Sequence, residues 1–312
     1  MYANISLPVS MVQLENLNLP HIYVYPTLII TTLLYMVTMF CNMMVLLAIA
    51  RCKELHQPMF ILLFNLPISD MIGTTAFLPQ LLWSIVTQYR SIPYTACITQ
   101  AFLIHMYGTG NLLILSIMAY DRYIAICFPL RYNEIMSPLT LVKMILLVWI
   151  VTISVIATMF LLHRQYEICR TNIVDFYCNN PSLLKIMCGE TTVSSYYGLM
   201  VIILIQGVPL AIMMYTYAQI LYVCIMTNNA DARQKAIQTC SSHLVVYLFL
   251  QFVATFTILS HRFNTVSADL QKIMGMLIFL IPPLLNPIVY GLYTGEIRNA
   301  LLRIIKKRSI SV

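Results

Sequence analysis

Two side chains of opposite charge, Asp121 and Arg122, stand together near the end of a long apolar run, in the segment Met118-Ala119-Tyr120-Asp121-Arg122-Tyr123-Ile124-Ala125-Ile126-Cys127. An arginine beside a carboxylate can be held by a charge-assisted hydrogen bond and later released, which is switch chemistry rather than bond-making chemistry. The plainer alternative is an arginine that snorkels from the membrane edge into water. A second carboxylate, Asp70, is embedded in another apolar run, where an ionisable group is costly and marks a function or a partner. Catalysis finds no footing. The sequence has no His-Glu-x-x-His spacing and no Ser-His-Asp constellation, and its six histidines are scattered singly.

Seven apolar stretches must position these groups: 26–50, 58–83, 97–123, 141–162, 193–225, 235–260 and 270–293. Each reaches the ~20 residues that cross a ~30 Å hydrocarbon layer at 1.5 Å per residue. Backbone polar groups in such a layer must be satisfied internally, so the reading is an all-α membrane protein, a bundle of seven transmembrane helices. Sixty per cent hydrophobic against nine per cent charged residues excludes an ordinary soluble domain, where about a quarter are charged. A transporter is disfavoured because no internal repeat is visible and intramembrane charges are too few for an ion path.

The charge of +7 is sorted by loop and is not a nucleic-acid footprint. Arg51, Lys53, Arg122, Arg131, Lys143, Arg233, Lys235, Arg298, Arg303, Lys306, Lys307 and Arg308, twelve of eighteen basic residues, fall on one side. The positive-inside rule makes that side cytosolic and the N-terminus extracellular. The sequon Asn4-Ile5-Ser6 lies in the tail this orientation exposes to glycosylation. The expected organisation is an extracellular tail over 1–25, a membrane domain over 26–293 and a cytoplasmic segment over 294–312. Residues 1–20 lack an apolar core of about 7–15 residues, so the first membrane helix is expected to direct insertion itself.

Pro26 and Pro58 suit first-turn positions of helices one and two. Pro209 interrupts helix five, and Pro282, Pro283 and Pro287 interrupt helix seven, each freeing a carbonyl for another partner. After helix seven, Ile297, Ala300, Leu301, Ile304 and Ile305 recur at helical spacing opposite basic residues, the pattern of a short amphipathic helix in the membrane interface. Cys97, Cys169, Cys178 and Cys188 fall on the outer side, where four cysteines allow three connectivities. Cys41, Cys52, Cys127, Cys224 and Cys240 read as free thiols.

Four motifs in order carry a family resemblance: Pro58-Met59-Phe60 with Leu66 and Asp70, Met118 to Cys127 running on to Pro129-Leu130-Arg131-Tyr132, Lys235-Ala236 with Thr239-Cys240-Ser241-Ser242-His243, and Pro283-Leu284-Leu285-Asn286-Pro287-Ile288-Val289-Tyr290. Over essentially its whole length the chain resembles the olfactory receptors, a branch of the rhodopsin-like G-protein-coupled receptors. His105, His261-Arg262-Phe263 and the long second outer loop resemble the class I, fish-type branch.

The resemblance implies a receptor at the plasma membrane that binds a small-molecule odorant, needs no cofactor and activates a heterotrimeric G protein of the stimulatory, cAMP-raising type. The alternative within receptors is a non-olfactory one for a lipid or other hydrophobic mediator. It assigns a G-protein switch to Asp121, Arg122, Tyr123, Tyr217, His243 and Tyr290. Unaided, Tyr217, His243 and Tyr290 read as satisfied core polar groups. It also implies a polar network of Asn42, Asp70, Asn111 and Asn286. Because Asn111 stands where the family often has a glutamate, a hydrogen-bond network is the expectation there and a sodium site at Asp70 the alternative. The disulfides it implies are Cys97–Cys178 and Cys169–Cys188.

For the ligand, Ile104, His105, Gly108 and Thr109 share a face of helix three, and Thr255, Ile258 and Arg262 share one of helix six. With Val201, Ile202 and Ile205 they form the expected pocket. The resemblance makes Arg262 an anchor for a ligand carboxylate with His105 as a second donor, since guanidinium geometry suits a bidentate grip. The alternative is that Arg262 ends helix six in water and His105 is a core histidine.

Overall fold

The computed structural model describes residues 10–15, 17, 20–226, 230–261 and 266–309. The sequon at Asn4 and the proposed anchor Arg262 lie outside these. Seven helices among the described residues are long and apolar enough to cross a membrane. They are α1 (His21–Arg51), α2 (Pro58–Thr87), α3 (Tyr94–Cys127), α4 (Pro138–Leu162), α5 (Thr192–Met226), α6 (Ala230–Ser260) and α7 (Ala268–Tyr293), followed by α8 (Gly295–Ser309).

Polar residues at the helix starts show why several begin where they do. Ser137 accepts from Thr140 N at the start of α4, and Ser267 accepts from Leu270 N at the start of α7. Pro58 occupies the first turn of α2, as its sequence position suggests. Pro26 does not open α1. That helix starts five residues earlier, after Pro20, and carries Pro26 inside. Its missing N–H costs a single ladder bond, the one to Ile22 O in the first turn.

Apolarity and burial part company in this bundle. The most apolar window, in α4, is only 28% buried, whereas the window in α3 is 61% buried at lower hydropathy. Lipid is as apolar as a core, so helix four can face outward while the more polar helix three becomes the central post. Large apolar side chains such as Ile22, Phe40, Leu147 and Ile203 are accordingly exposed on α1, α4 and α5. The short α8 buries Ile297 and Ala300, and its Arg303 grips Glu54 with two bonds of 2.8 Å.

One end of the bundle carries a small structured cap that sequence patterning did not indicate. Strand β1 (Met11–Gln13) pairs antiparallel with β2 (Ser91–Pro93), placing Val12 opposite Ile92. The same N-terminal strand also exchanges backbone bonds with Thr171 and Ile173 of the long loop. Cys97–Cys178 and Cys169–Cys188 are disulfide-bonded at this end. A short helix, Asn180–Ile186, capped by the Asn179 side chain on Ser182 N at 2.9 Å, completes the roof.

Candidate functional site: a cavity, a polar core and a switch

Beneath that roof lies a cavity of about 330 Å³ between α3, α5, α6 and α7. This is at the low end of ligand pockets, which run from about 300 to 1,000 Å³. Ile104, His105, Gly108 and Thr109 line it from α3, Val201, Ile202 and Ile205 from α5, and Ile258 from α6. Gly108 leaves the space open, because a Cβ there would meet nothing within 4 Å. Thr255 is not in the wall; its hydroxyl donates to Gln206 Oε1 at 3.1 Å. The α6 face toward the cavity is instead Ala254, Thr257, Ile258 and His261. An apolar helix surrounded by apolar neighbours does not announce its phase.

The loop supplies wall residues that the sequence did not single out: Tyr177, Asn179, Asn180 and Lys185. Tyr177 packs edge-on against Phe77 and Phe279 with ring centroids 5.5 Å apart, and only a glycine at 275 leaves space for its hydroxyl. Asp175 holds this loop to α6. Its Oδ2 accepts from His261 Nε2 at 2.9 Å, Asn179 Nδ2 at 2.7 Å and the Ser182 hydroxyl. The His261 Nδ1 faces Thr257 O at 2.7 Å, so both ring nitrogens point at acceptors and the ring is a donor on both sides. Burial works to depress the His261 pKa, but the bond to Asp175 and its charge more than reverse this and raise it. For Asp175, burial pushes upward and is outweighed by His261, Ser182 and Asn179, leaving the carboxyl below its ordinary range. Each partner favours the charged form of the other, and the pair is nearly solvent-free, with side chains 2% and 3% exposed.

His105 places Nδ1 2.7 Å from Ala101 O and packs edge-on against Phe160. Its Nδ1 is then the N–H nitrogen, and Nε2 accepts unless the ring is protonated. As a second donor to an acid, His105 must be an imidazolium.

Deeper in the bundle, Asp70 is fully buried and accepts from Asn111 Nδ2 at 2.7 Å and Asn286 Nδ2 at 2.8 Å. Asn42 does not reach this carboxylate. It donates to Thr38 O and, at 2.8 Å, to Pro283 O. The reason lies four residues on: Pro287 has no N–H for the Pro283 carbonyl, and a partner helix must satisfy it. The same rule explains Tyr107, whose hydroxyl donates at 2.8 Å to Ile278 O, the carbonyl freed by Pro282. Counting four back from each proline would have exposed both sites from sequence. The Oδ1 atoms of Asn42, Asn111 and Asn286 are buried without a protein partner. Such hard oxygens suit water or a small cation in type, although each Asp70 oxygen already accepts an amide bond.

At the opposite end, Arg122 Nε and Nη2 donate to Asp121 Oδ2 at 3.0 and 2.6 Å. Asp121 is wholly buried, and its other oxygen accepts from the Tyr132 hydroxyl at 2.8 Å. Burial and the Asp121 charge hold the Tyr132 phenol above its ordinary pKa, so it is a donor. Tyr132 belongs to a motif noted in the sequence, but its contact did not follow from it. Tyr123 packs edge-on against Tyr215. The hydroxyls of Tyr217 and Tyr290 and Nδ1 of His243 are buried without a protein partner, and the His243 and Tyr290 rings lie 5.0 Å apart. Among the described residues no group of three or more His, Cys, Asp or Glu side chains could hold a metal ion.

A cavity at one end, an arginine held by a carboxylate at the other and seven helices apolar enough to cross a membrane make the arrangement of a helix-bundle membrane receptor. Residues 31–308 match the family model described as olfactory receptor. Olfactory receptor 1 of Rattus norvegicus is 33% identical over 282 residues, covering 89% of each chain. Olfactory receptor 52N1 of Homo sapiens is 33% identical over 266 residues, covering 84% of this chain and 83% of its own. Olfactory receptor 1M1 of Mus musculus is 32% identical over 277 residues, covering 88% of each. The chain belongs to the olfactory receptor family of G-protein-coupled receptors, which sense odorants and are not enzymes.

Proposed function

We propose that this receptor binds a small organic acid in the cavity beneath the disulfide-bonded roof and thereby activates a stimulatory, cAMP-raising G protein at the Arg122 end. The roof faces the exterior in this reading, because twelve of the eighteen basic residues sort to the other side and the sequon to this one. The cavity carries the proposal: apolar walls from Ile104, Val201, Ile202, Ile205 and Ile258 suit an aliphatic or aromatic body, and Lys185 brings a cation to the wall. His261 is committed to Asp175 and does not compete for the headgroup. Arg262, the next residue in the chain, is the proposed second anchor.

The test is a cAMP assay in cells expressing the receptor, with a panel of short carboxylic acids and their methyl esters. A hydrogen bond to a charged group contributes about 1.5–3 kcal/mol, or roughly tenfold to a hundredfold in affinity. Lys185→Ala or Arg262→Ala should weaken an acid by that factor and its ester far less. Gly108→Leu, which fills the cavity, should abolish both responses at normal surface expression. Best activation by neutral or cationic ligands that ignore both cations would remove the acid from the proposal. Full agonism in Gly108→Leu would remove the cavity.

A further inference from the structure

Tyr107 sits where three helices and the cavity wall meet. It is 1% exposed in the middle of α3, and its ring presses on α2 so closely that a Cβ at Gly73 would lie within 2.7 Å of Cδ2. On the other side the ring faces Phe279 of α7, with centroids 5.9 Å apart. Its hydroxyl donates to the Ile278 carbonyl, which Pro282 leaves without an intrahelical partner. Ile278 and Phe279 also line the cavity. The residue that a ligand would touch is thus the one whose backbone Tyr107 holds. Asn42 catches the Pro283 carbonyl on the far side of Pro282, so the proline is bracketed by two side-chain catches from other helices.

We infer that Tyr107 is a positioning residue that holds α7 at its proline break in the resting arrangement, and that a ligand pressing on Ile278 and Phe279 activates by working against this one hydrogen bond. The resting assignment follows from the same structure, in which Asp121 still retains Arg122. Helix seven has no ladder bond of its own at this carbonyl, so the bond from α3 fixes the local bend rather than adding to bonds already there. A kink held by one releasable side chain can straighten or deepen at little cost elsewhere. The link to ligand rests on the cavity reading above; the hold on α7 does not.

Tyr107→Phe removes the hydroxyl and keeps the ring that fills the space beside Gly73. The measurement is ligand-independent nucleotide exchange on the G protein that the wild type engages, normalised to receptor at the surface. One neutral hydrogen bond corresponds to about a two- to tenfold shift between two states, so basal activity should rise by that factor. Pro282→Ala returns an N–H to the Ile278 carbonyl, and in that background Tyr107→Phe should have no further effect; Pro282→Ser serves equally if the alanine variant does not reach the surface. Unchanged basal exchange in Tyr107→Phe at wild-type surface level would overturn the inference. So would an equal rise with and without Pro282, which would place the action of the tyrosine elsewhere. Because basal exchange needs no ligand, these failures are separate from failure of the cavity, which Gly108→Leu tests.

Discussion

The two ends of this bundle are held by different kinds of bond. At the roofed end, Cys97–Cys178 ties the loop to helix three, the buried Asp175–His261 ion pair ties it to the end of helix six, Cys169–Cys188 closes a ring within it, and β1 pairs with β2. At the other end Arg122 is held by one carboxylate, itself steadied by Tyr132, while the hydroxyls of Tyr217, Tyr290 and Tyr247 are buried without protein partners. Covalent and buried hydrogen-bonded contacts make a surface against which a ligand can push. Under-satisfied polar groups make a surface that a second set of hydrogen bonds can reorganise. On the proposed reading, the contrast puts stiffness at the cavity and room to reorganise at the Arg122 end.

The largest effect that would break this contrast is at Arg122. Arg122→Ala should abolish ligand-evoked cAMP with surface expression largely kept; a wild-type response from a well-expressed mutant would falsify the switch. Next comes the roof. Cys97→Ser or Cys178→Ser opens a link spanning 81 residues, and Cys169→Ser or Cys188→Ser one of 19. Loop-closure entropy assigns these about 4.5 and about 3.2 kcal/mol, so surface delivery measured by antibody staining should suffer more in the first pair. An inverted order would show that the short ring, not the tie to helix three, secures the roof.

A smaller effect separates Tyr132 from mere packing. Tyr132→Phe removes the bond that fixes the buried Asp121 through its other oxygen, so the carboxylate that grips Arg122 is less firmly placed. A bond to a charged group implies roughly tenfold or more in basal activity, read as ligand-free cAMP per surface receptor. Basal signalling at the wild-type level would reduce Tyr132 to a spacer.

The smallest is a pH dependence confined to the roof. The raised His261 pKa gives stability that is complete below the ordinary histidine value of 6.5 and is lost as pH rises through the raised value. The depressed Asp175 pKa gives stability present above 3.8 and lost as pH falls through the lowered value. Thermal unfolding in detergent should therefore show a plateau through mildly acid pH and a decline on the alkaline side. In Asp175→Asn that alkaline decline should flatten. A mutant curve parallel to the wild type would show that other groups produce the slope.

Much of this was legible in the chain, and the rest was not for a definite reason. Run length against bilayer thickness predicts the seven helices, and loop charge predicts an orientation, because lipid imposes both on composition alone. Asp121 beside Arg122 needed no fold to be seen, since adjacent residues on one helix end are already neighbours. The phase of helix six was not legible. Thr255 and Ala254 differ by one position, and with lipid on one side and apolar side chains on the other only packing decides which faces the cavity.

Distance in sequence hid the remainder. Asp175 meets His261 across 86 residues, Tyr107 meets Ile278 across 171 and Asn42 meets Pro283 across 241. The prolines already announced which carbonyls of helix seven would lack an N–H, because that follows from one residue and its position in a helix. Which side chains satisfy them depends on which helices lie alongside and at what height, and so does whether Asp70 meets Asn42 or Asn111. The sequence alone determined the membrane helices, the placement of charge and the broken bonds of helix seven, all consequences of local chemistry in a lipid solvent. Tertiary structure alone decided the partners, because a buried polar group must be satisfied by whatever the packing of distant segments brings within about 3 Å.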